Sequence, residues 1–169
     1  LRKEFATIRF KEQKEGIMAN TLILYGSLTG NTQSVAEKIQ SICQSKGKEV
    51  EVKNIADADA QDLTGPHSCL IFASSTWDDG HLQADWADFM ERTANQPIDL
   101  TGKKVAIFGC GDSNYSVFCG AVEVLEQEFL VKRHGEKLME SLKIDGFPDM
   151  TENQTAIQAW AEQLANVLP

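Results

Sequence analysis

Leu22-Ile23-Leu24-Tyr25-Gly26-Ser27-Leu28-Thr29-Gly30-Asn31-Thr32 decides the fold: an apolar run feeds a short polar loop, and the loop opens a segment with helical spacing. The chain passes from strand to loop to helix. Such a loop sets unpaired backbone N–H groups at the positive end of a helix, while Gly26, Gly30 and the hydroxyls of Ser27, Thr29 and Thr32 crowd little around them. That arrangement is a cradle for a phosphate. It is not the ATP-binding loop G-x-x-x-x-G-K-[ST], because three residues separate the glycines and Asn31 stands where lysine would be. Nor does it spell G-x-G-x-x-G. Neutral groups alone suit a terminal monoester that stays in place, whereas a phosphoryl group in transfer wants lysine and Mg²⁺. The same residues also suit an ordinary polar turn with Asn31 or Thr32 as N-cap, so the meaning of this loop rests on two further loops downstream.

At 169 residues the chain is long enough for one domain with a single buried core. No apolar run approaches the length that spans a bilayer. Residues 1–17 are charged, lack the apolar stretch of a secretory signal and read as an extension outside the fold, with 18–169 as the folded domain. Lys14-Glu15-Gly16-Ile17-Met18 can be encoded by a purine-rich run just ahead of ATG, which makes Met18 the expected natural start. The four cysteines show no metal-binding spacing and are expected to be reduced thiols in a cytoplasmic protein. The net charge is −9, and the first 17 residues hold five basic and three acidic side chains, so the remainder carries 11 basic against 22 acidic. This acidity argues against nucleic acid and for docking on basic protein surfaces.

Val35, Ile39, Ile42 and Cys43 recur at helical spacing up to Gly47, a C-terminal cap. Val50 and Val52 alternate with charges as on an edge strand, and Ala56 to Gly65 is a short connection or helix. Cys69 to Ala73 is continuously apolar, as a strand buried on both faces must be, and it delivers Ser74 to Gly80 as a loop. Leu82, Trp86, Phe89 and Met90 then predict the buried face of a helix. Lys104 to Phe108 is the next strand, ending in a loop from Gly109 to Tyr115; Val122, Leu125 and Phe129 predict a helix, Lys137 to Ile144 the last strand, and Ile157, Trp160, Ala161 and Leu164 a closing helix capped near Thr151. Strands alternating with helices over short links describe a doubly wound α/β sheet with five parallel strands and helices on both faces. Ligands of such sheets bind at the carboxyl ends of the strands, so the three loops converge on one edge.

The second and third loops each place one large aromatic, Trp77 and Tyr115, among small and acidic residues. Two such rings can sandwich a flat heterocycle, at about 0.5–1.5 kcal/mol per aromatic pair beyond area burial. Gly80, Cys110 and Gly111 allow close backbone approach. A phosphate at one end and a flat ring at the other describe flavin mononucleotide (FMN).

Ser27-Leu28-Thr29-Gly30-Asn31-Thr32, Ser75-Thr76-Trp77-Asp78-Asp79-Gly80 and the run Cys110-Gly111-Asp112-Ser113-Asn114-Tyr115-Ser116-Val117-Phe118-Cys119 resemble the phosphate loop and two ring-binding loops of flavodoxins, and the resemblance covers Met18 to Pro169. With no long insertion in the last strand, the chain is similar to the short-chain type. The resemblance implies sheet order 2-1-3-4-5, a monomer, and one-electron transfer between a reductase and acceptor redox proteins without conversion of a substrate. It assigns Ser27 to Thr32 to the phosphate, Trp77 and Tyr115 to the two faces of the ring, and Asp112 with the amides around Cys110 and Gly111 to its pyrimidine edge. Ser75, Thr76, Asp78, Gly80, Phe118 and Cys119 complete the ring loops by the same resemblance.

Physical reasoning agrees with a low-potential carrier. An anionic reduced flavin is disfavoured beside Asp78, Asp79, Asp85, Asp112 and Glu123. One unit charge about 12 Å away at an effective dielectric of about 20 costs ~1.4 kcal/mol, or ~60 mV for one electron, before screening. Family members often have glycine directly after the tryptophan, where a peptide flips on reduction; here it is Asp78, which adopts a left-handed backbone at a cost of about 1 kcal/mol relative to glycine. His81, close after Trp77, is a candidate for tuning the flavin with pH. Trp86 and Trp160 sit on apolar helix faces and belong to the core. The alternatives are an FMN-dependent NAD(P)H or quinone reductase of the same fold, a dedicated activator of one metalloenzyme, and a flavin-free interaction domain.

Overall fold

The continuous apolar runs become strands covered on both sides. In a computed structural model describing residues 19–169, β1 (Thr21–Gly26) lies between β2 (Val50–Asn54) and β3 (Cys69–Trp77), and β3 pairs on its other side with β5 (Lys104–Gly111), all parallel. The reading of residues 1–17 as a leader lies outside the described residues. Along β1, Ile23 and Tyr25 face one core while Leu22 and Leu24 face the other; β3 repeats this with Cys69, Ile71 and Ala73 against Leu70 and Phe72. A period of two with both faces buried leaves no polar position, which is why these segments carry no hydrophobic alternation.

The first core is closed by α1 (Asn31–Ser45) and α5 (Thr151–Val167), whose Val35, Ile39, Ile157 and Leu164 pack on the sheet. The second is closed by α2 (Ala60–Thr64), α3 (Ala84–Thr93) and α4 (Gly120–Glu126), the last running on as a π-helical turn over Gln127–Lys132. There Phe72 stacks on Phe129 at 4.0 Å, and the Trp86 indole N–H donates to the Ala73 carbonyl at 2.7 Å. Trp86 and Trp160 are core residues, as their helix-face spacing implies. Gly47, at φ 79°, follows the end of α1 and donates back to the Gln44 carbonyl, so the expected C-terminal stop is present.

Five expectations need correction. β3 and β5 run on to Trp77 and Gly111, so Ser74 to Trp77 and Gly109 to Gly111 are strand rather than loop. Leu82 belongs to a two-residue strand, β4 (His81–Leu82), antiparallel to the end of β3, and α3 begins only at Ala84. Phe129 lies in the π-helical turn. The last strand is divided into β6 (Glu136–Lys137) and β7 (Leu142–Asp145), both parallel to β5; between them the Glu140 carbonyl turns out of the ladder to accept the Trp160 indole N–H at 2.8 Å. The sheet order β2-β1-β3-β5-β6, with β7 also on β5, is the expected 2-1-3-4-5 with its last member in two pieces. α5 starts at Thr151 as expected, but no side chain caps it.

Glu128, mostly buried, accepts from Lys132 at 3.1 Å and Arg133 at 3.0 Å, and Arg133 in turn donates to the carbonyls of Gln96 and Ile98. Burial pushes the Glu128 carboxyl up, but the bonds from Lys132 and Arg133 more than offset it and hold the group below its ordinary range. A carboxylate depressed on folding stabilises above its unfolded pKa, and that stability is lost as pH falls through the folded value. Glu128→Gln is therefore expected to melt roughly 1–3 °C below the parent at pH 7, with the two curves converging in acid. Thermal melts between pH 7 and pH 3 check this.

Candidate functional site

β1, β3 and β5 end side by side, and the segments that leave them meet at that edge. Gly26 pairs with Ser74 and Ser75 with Cys110, so the first loop stands next to the second and the second next to the third.

In the first loop Gly30 takes φ 90° as the N-cap of α1, and its amide donates to Ser27 Oγ at 3.1 Å. Glycine carries this left-handed turn without a Cβ penalty. Among the described residues no side chain caps α1 and no acidic residue occupies its first turn, which leaves the first N–H groups and the positive helix end open to an anion. Neither Asn31 nor Thr32 is the N-cap that an ordinary turn would require. Thr32 is instead fully buried, and its hydroxyl meets no oxygen or nitrogen partner among the described residues, only the weak Cys110 thiol beside it. A buried hydroxyl without a partner costs about 1–3 kcal/mol, so a ligand oxygen there would be favoured. Leu28 and Thr29 are exposed at the tip.

In the second loop the Trp77 indole N–H donates to Ser75 Oγ at 2.9 Å, which sets the ring's direction, and Thr76 Oγ1 accepts the Ala121 amide at 3.2 Å from the start of α4. Asp78 has φ 46°, the left-handed conformation expected of it, and Gly80 follows at φ 95°. His81 pairs with Trp77 across the hairpin and is exposed.

The third loop is shaped by Asp112, whose Oδ1 accepts both the Asn114 amide at 2.8 Å and the Asn114 side chain at 2.7 Å, so the chain turns within four residues. Tyr115 projects from this turn, 68% exposed. A cavity of about 390 Å³ separates Trp77 from Tyr115 and is lined also by Thr76, Asp78, Asp112 and Val117. A smaller one, about 260 Å³, includes Leu28, Trp77, Asp78 and His81 in its lining. Among the described residues no lysine or arginine lines either. Glu123, counted among the acidic neighbours, is paired with Lys143, so its field is partly cancelled.

Gly111, Cys110, Phe118 and Cys119 stand behind the cavity rather than on it. Cys110 and Cys119 are buried, Phe118 packs on the second core, and a Cβ on Gly111 would meet the Cys119 amide nitrogen at 2.9 Å. Burial pushes the Cys110 thiol up to about 11 and the Cys119 thiol up to about 12, so both stay protonated and unreactive. The sequence reading missed Val117, a wall of the cavity, and Gly120, whose absent Cβ would stand 2.7 Å from Gly80 Cα. The only signal for the former is that it opens the apolar run Val117-Phe118-Cys119 after the polar part of the loop. The larger groove between α3 and α4, about 860 Å³ and lined by Met90, Pro97, Ile98 and Val124 among others, touches none of the three loops.

The described residues thus form a capless helix end with an orphan hydroxyl and, on the same edge, a slot between two aromatic rings. That donor set fits a phosphate joined to a flat heterocycle, as in FMN, and among the described residues no group of metal-ligating side chains competes with it.

Comparison with known proteins agrees. The flavodoxin family model matches residues 23–160. The chain is 40% identical to a flavodoxin of Maridesulfovibrio salexigens over 88% of its own length and 99% of that protein, and 36% identical to one of Nitratidesulfovibrio vulgaris over 89% and 100%. The crystal structure of oxidised flavodoxin 2 from Bacillus cereus superposes with a TM-score of 0.81 at 38% identity, covering 89% of this chain and all of that one. The chain belongs to the flavodoxin family, whose members carry electrons on bound FMN and are not enzymes.

Proposed function

We propose that this protein is a low-potential, monomeric, cytoplasmic one-electron carrier that holds FMN by the turn Ser27–Thr32 and between Trp77 and Tyr115, and that exchanges electrons with redox proteins presenting basic surfaces. The observation that carries this reading is the buried hydroxyl of Thr32, which has only the weak Cys110 thiol beside it among the described residues, on the sheet edge that also bears the aromatic slot. When bound, FMN supplies reversible one-electron chemistry. The chain's own part is to grip the phosphate with neutral donors, sheathe the ring faces and surround the ring with carboxylates. Asp78, Asp79 and Asp112 oppose gain of negative charge, which lowers the potentials, and they complement a basic docking face. Both walls of the slot come from this chain, which supports the monomeric reading.

Anaerobic stepwise reduction of purified protein loaded with FMN tests the reading. Two resolved one-electron steps, the second at low potential, are expected. Failure to take up FMN, or steady NAD(P)H oxidation by the protein alone, overturns it. The left-handed residue after Trp77 gives a sharper result: where family members turn the peptide after this tryptophan on reduction, Asp78→Gly lowers the cost of that turn in the reduced state and is expected to make the first potential less negative by roughly 40 mV. Spectroelectrochemical titration checks this, and an unchanged or more negative value removes Asp78 from the assigned position.

A further inference from the structure

Tyr115 makes no side-chain hydrogen bond to the described residues and is largely exposed, so the backbone of its turn decides where the ring stands. That backbone is held from inside by Asp112 and from outside by one other carboxylate. Asp145, the last residue of β7, accepts the Ser113 amide at 2.8 Å, thirty-two residues away in sequence. The next residue completes the clamp, since the Gly146 amide donates to the Gly111 carbonyl at 2.9 Å and Gly146 takes φ 77° to turn the chain away. Asn153 on α5 steadies the anchor itself, its Nδ2 donating to the carbonyls of Asp145 at 2.8 Å and Phe147 at 2.9 Å.

We propose that Asp145 is a positioning residue of the ring site: its carboxylate fixes the turn 112–115 and so sets the Tyr115 wall at its distance from Trp77. The inference rests on the proposed FMN site for its affinity readout, while the contact itself can be read without flavin. The Ser113 hydroxyl and then the Ser113 amide hold the Asp145 carboxyl below its ordinary range, so the anchor stays charged at neutral pH. Asparagine keeps an acceptor oxygen and removes the charge; alanine removes both.

The test measures hydrogen exchange of the Ser113 amide in the apoprotein and the dissociation constant for FMN, in the parent, D145A and D145N. In D145A the amide is expected to exchange about tenfold faster and FMN to dissociate about tenfold more readily, with D145N restoring both to within about twofold of the parent. Equal changes in D145A and D145N would assign Asp145 a purely electrostatic role and overturn the proposal. A lower melting temperature in D145A with unchanged exchange and affinity would also overturn it, as a merely structural effect. If the parent itself takes up no FMN, the proposed function fails, and the exchange rates alone still decide whether Asp145 holds the turn.

Discussion

Thr32→Val is expected to move two properties in opposite directions: the apoprotein melts higher, and FMN is held more weakly. Valine keeps the shape of threonine while deleting the hydroxyl, which is buried with only the weak Cys110 thiol beside it among the described residues. Removing an unsatisfied buried polar atom recovers about 1 kcal/mol or more, equivalent to roughly 2–4 °C in a domain of this size. The same deletion removes a donor to a charged phosphate, where a hydrogen bond is worth about 1.5–3 kcal/mol, so the dissociation constant for FMN should rise roughly 10- to 150-fold. Riboflavin, which lacks the phosphate, should bind the variant and the parent alike. Calorimetric melting of the apoprotein and fluorescence titration with the two flavins measure all three quantities. Equal weakening for both flavins would place Thr32 away from the phosphate.

Gly120→Ala should instead weaken both flavins. Gly120 opens α4 directly against Gly80 of the second loop, and a Cβ there would lie 2.7 Å from Gly80 Cα, 2.8 Å from Val117 Cγ1 and 2.9 Å from the Gly80 carbonyl oxygen. Two of those atoms are backbone and cannot swing aside, so the second and third loops must part. Overpacking of this kind costs about 1–3 kcal/mol, which corresponds to a fall in affinity of about 5- to 150-fold if it falls on the bound geometry. The contrast with Thr32→Val separates the two halves of the site. One variant discriminates by phosphate; the other does not.

Much of this arrangement is legible in the residues alone, for a physical reason. Strands such as Cys69 to Ala73 are buried on both faces and cannot accommodate a polar residue, so they stand out as unbroken apolar runs. The loops stand out because a phosphate and a flat ring call for few residue types, which cluster as Ser27 to Thr32 and around Trp77 and Tyr115. What escapes is set by backbone pairing or by distant contacts. Ser74 to Trp77 and Gly109 to Gly111 are small, polar or exposed, and only their ladder partners make them strand. Leu82 falls four residues before Trp86 and seven before Phe89, the spacing of a helical stripe, although it lies in β4. The break in the last strand depends on Trp160, and the hold on Ser113 depends on Asp145. Hydropathy patterns carry no record of such pairs.

The π-helical turn at Gln127–Lys132 has a consequence for how the molecule can vary. One helical rod begins under the ring slot, where Gly80, Thr76 and Cys119 fix its first residues, and ends in the core, where Phe129 must lie flat on Phe72. A uniform α-helix advances about 100° per residue and would lock those two orientations together. The wide turn inserts slack between them, like a spacer between two parts machined to different gauges. Loop lengths at the slot can therefore drift while the core keeps its fit, but removing one residue between Glu126 and Phe129 would turn Phe129 by about 100° off its partner.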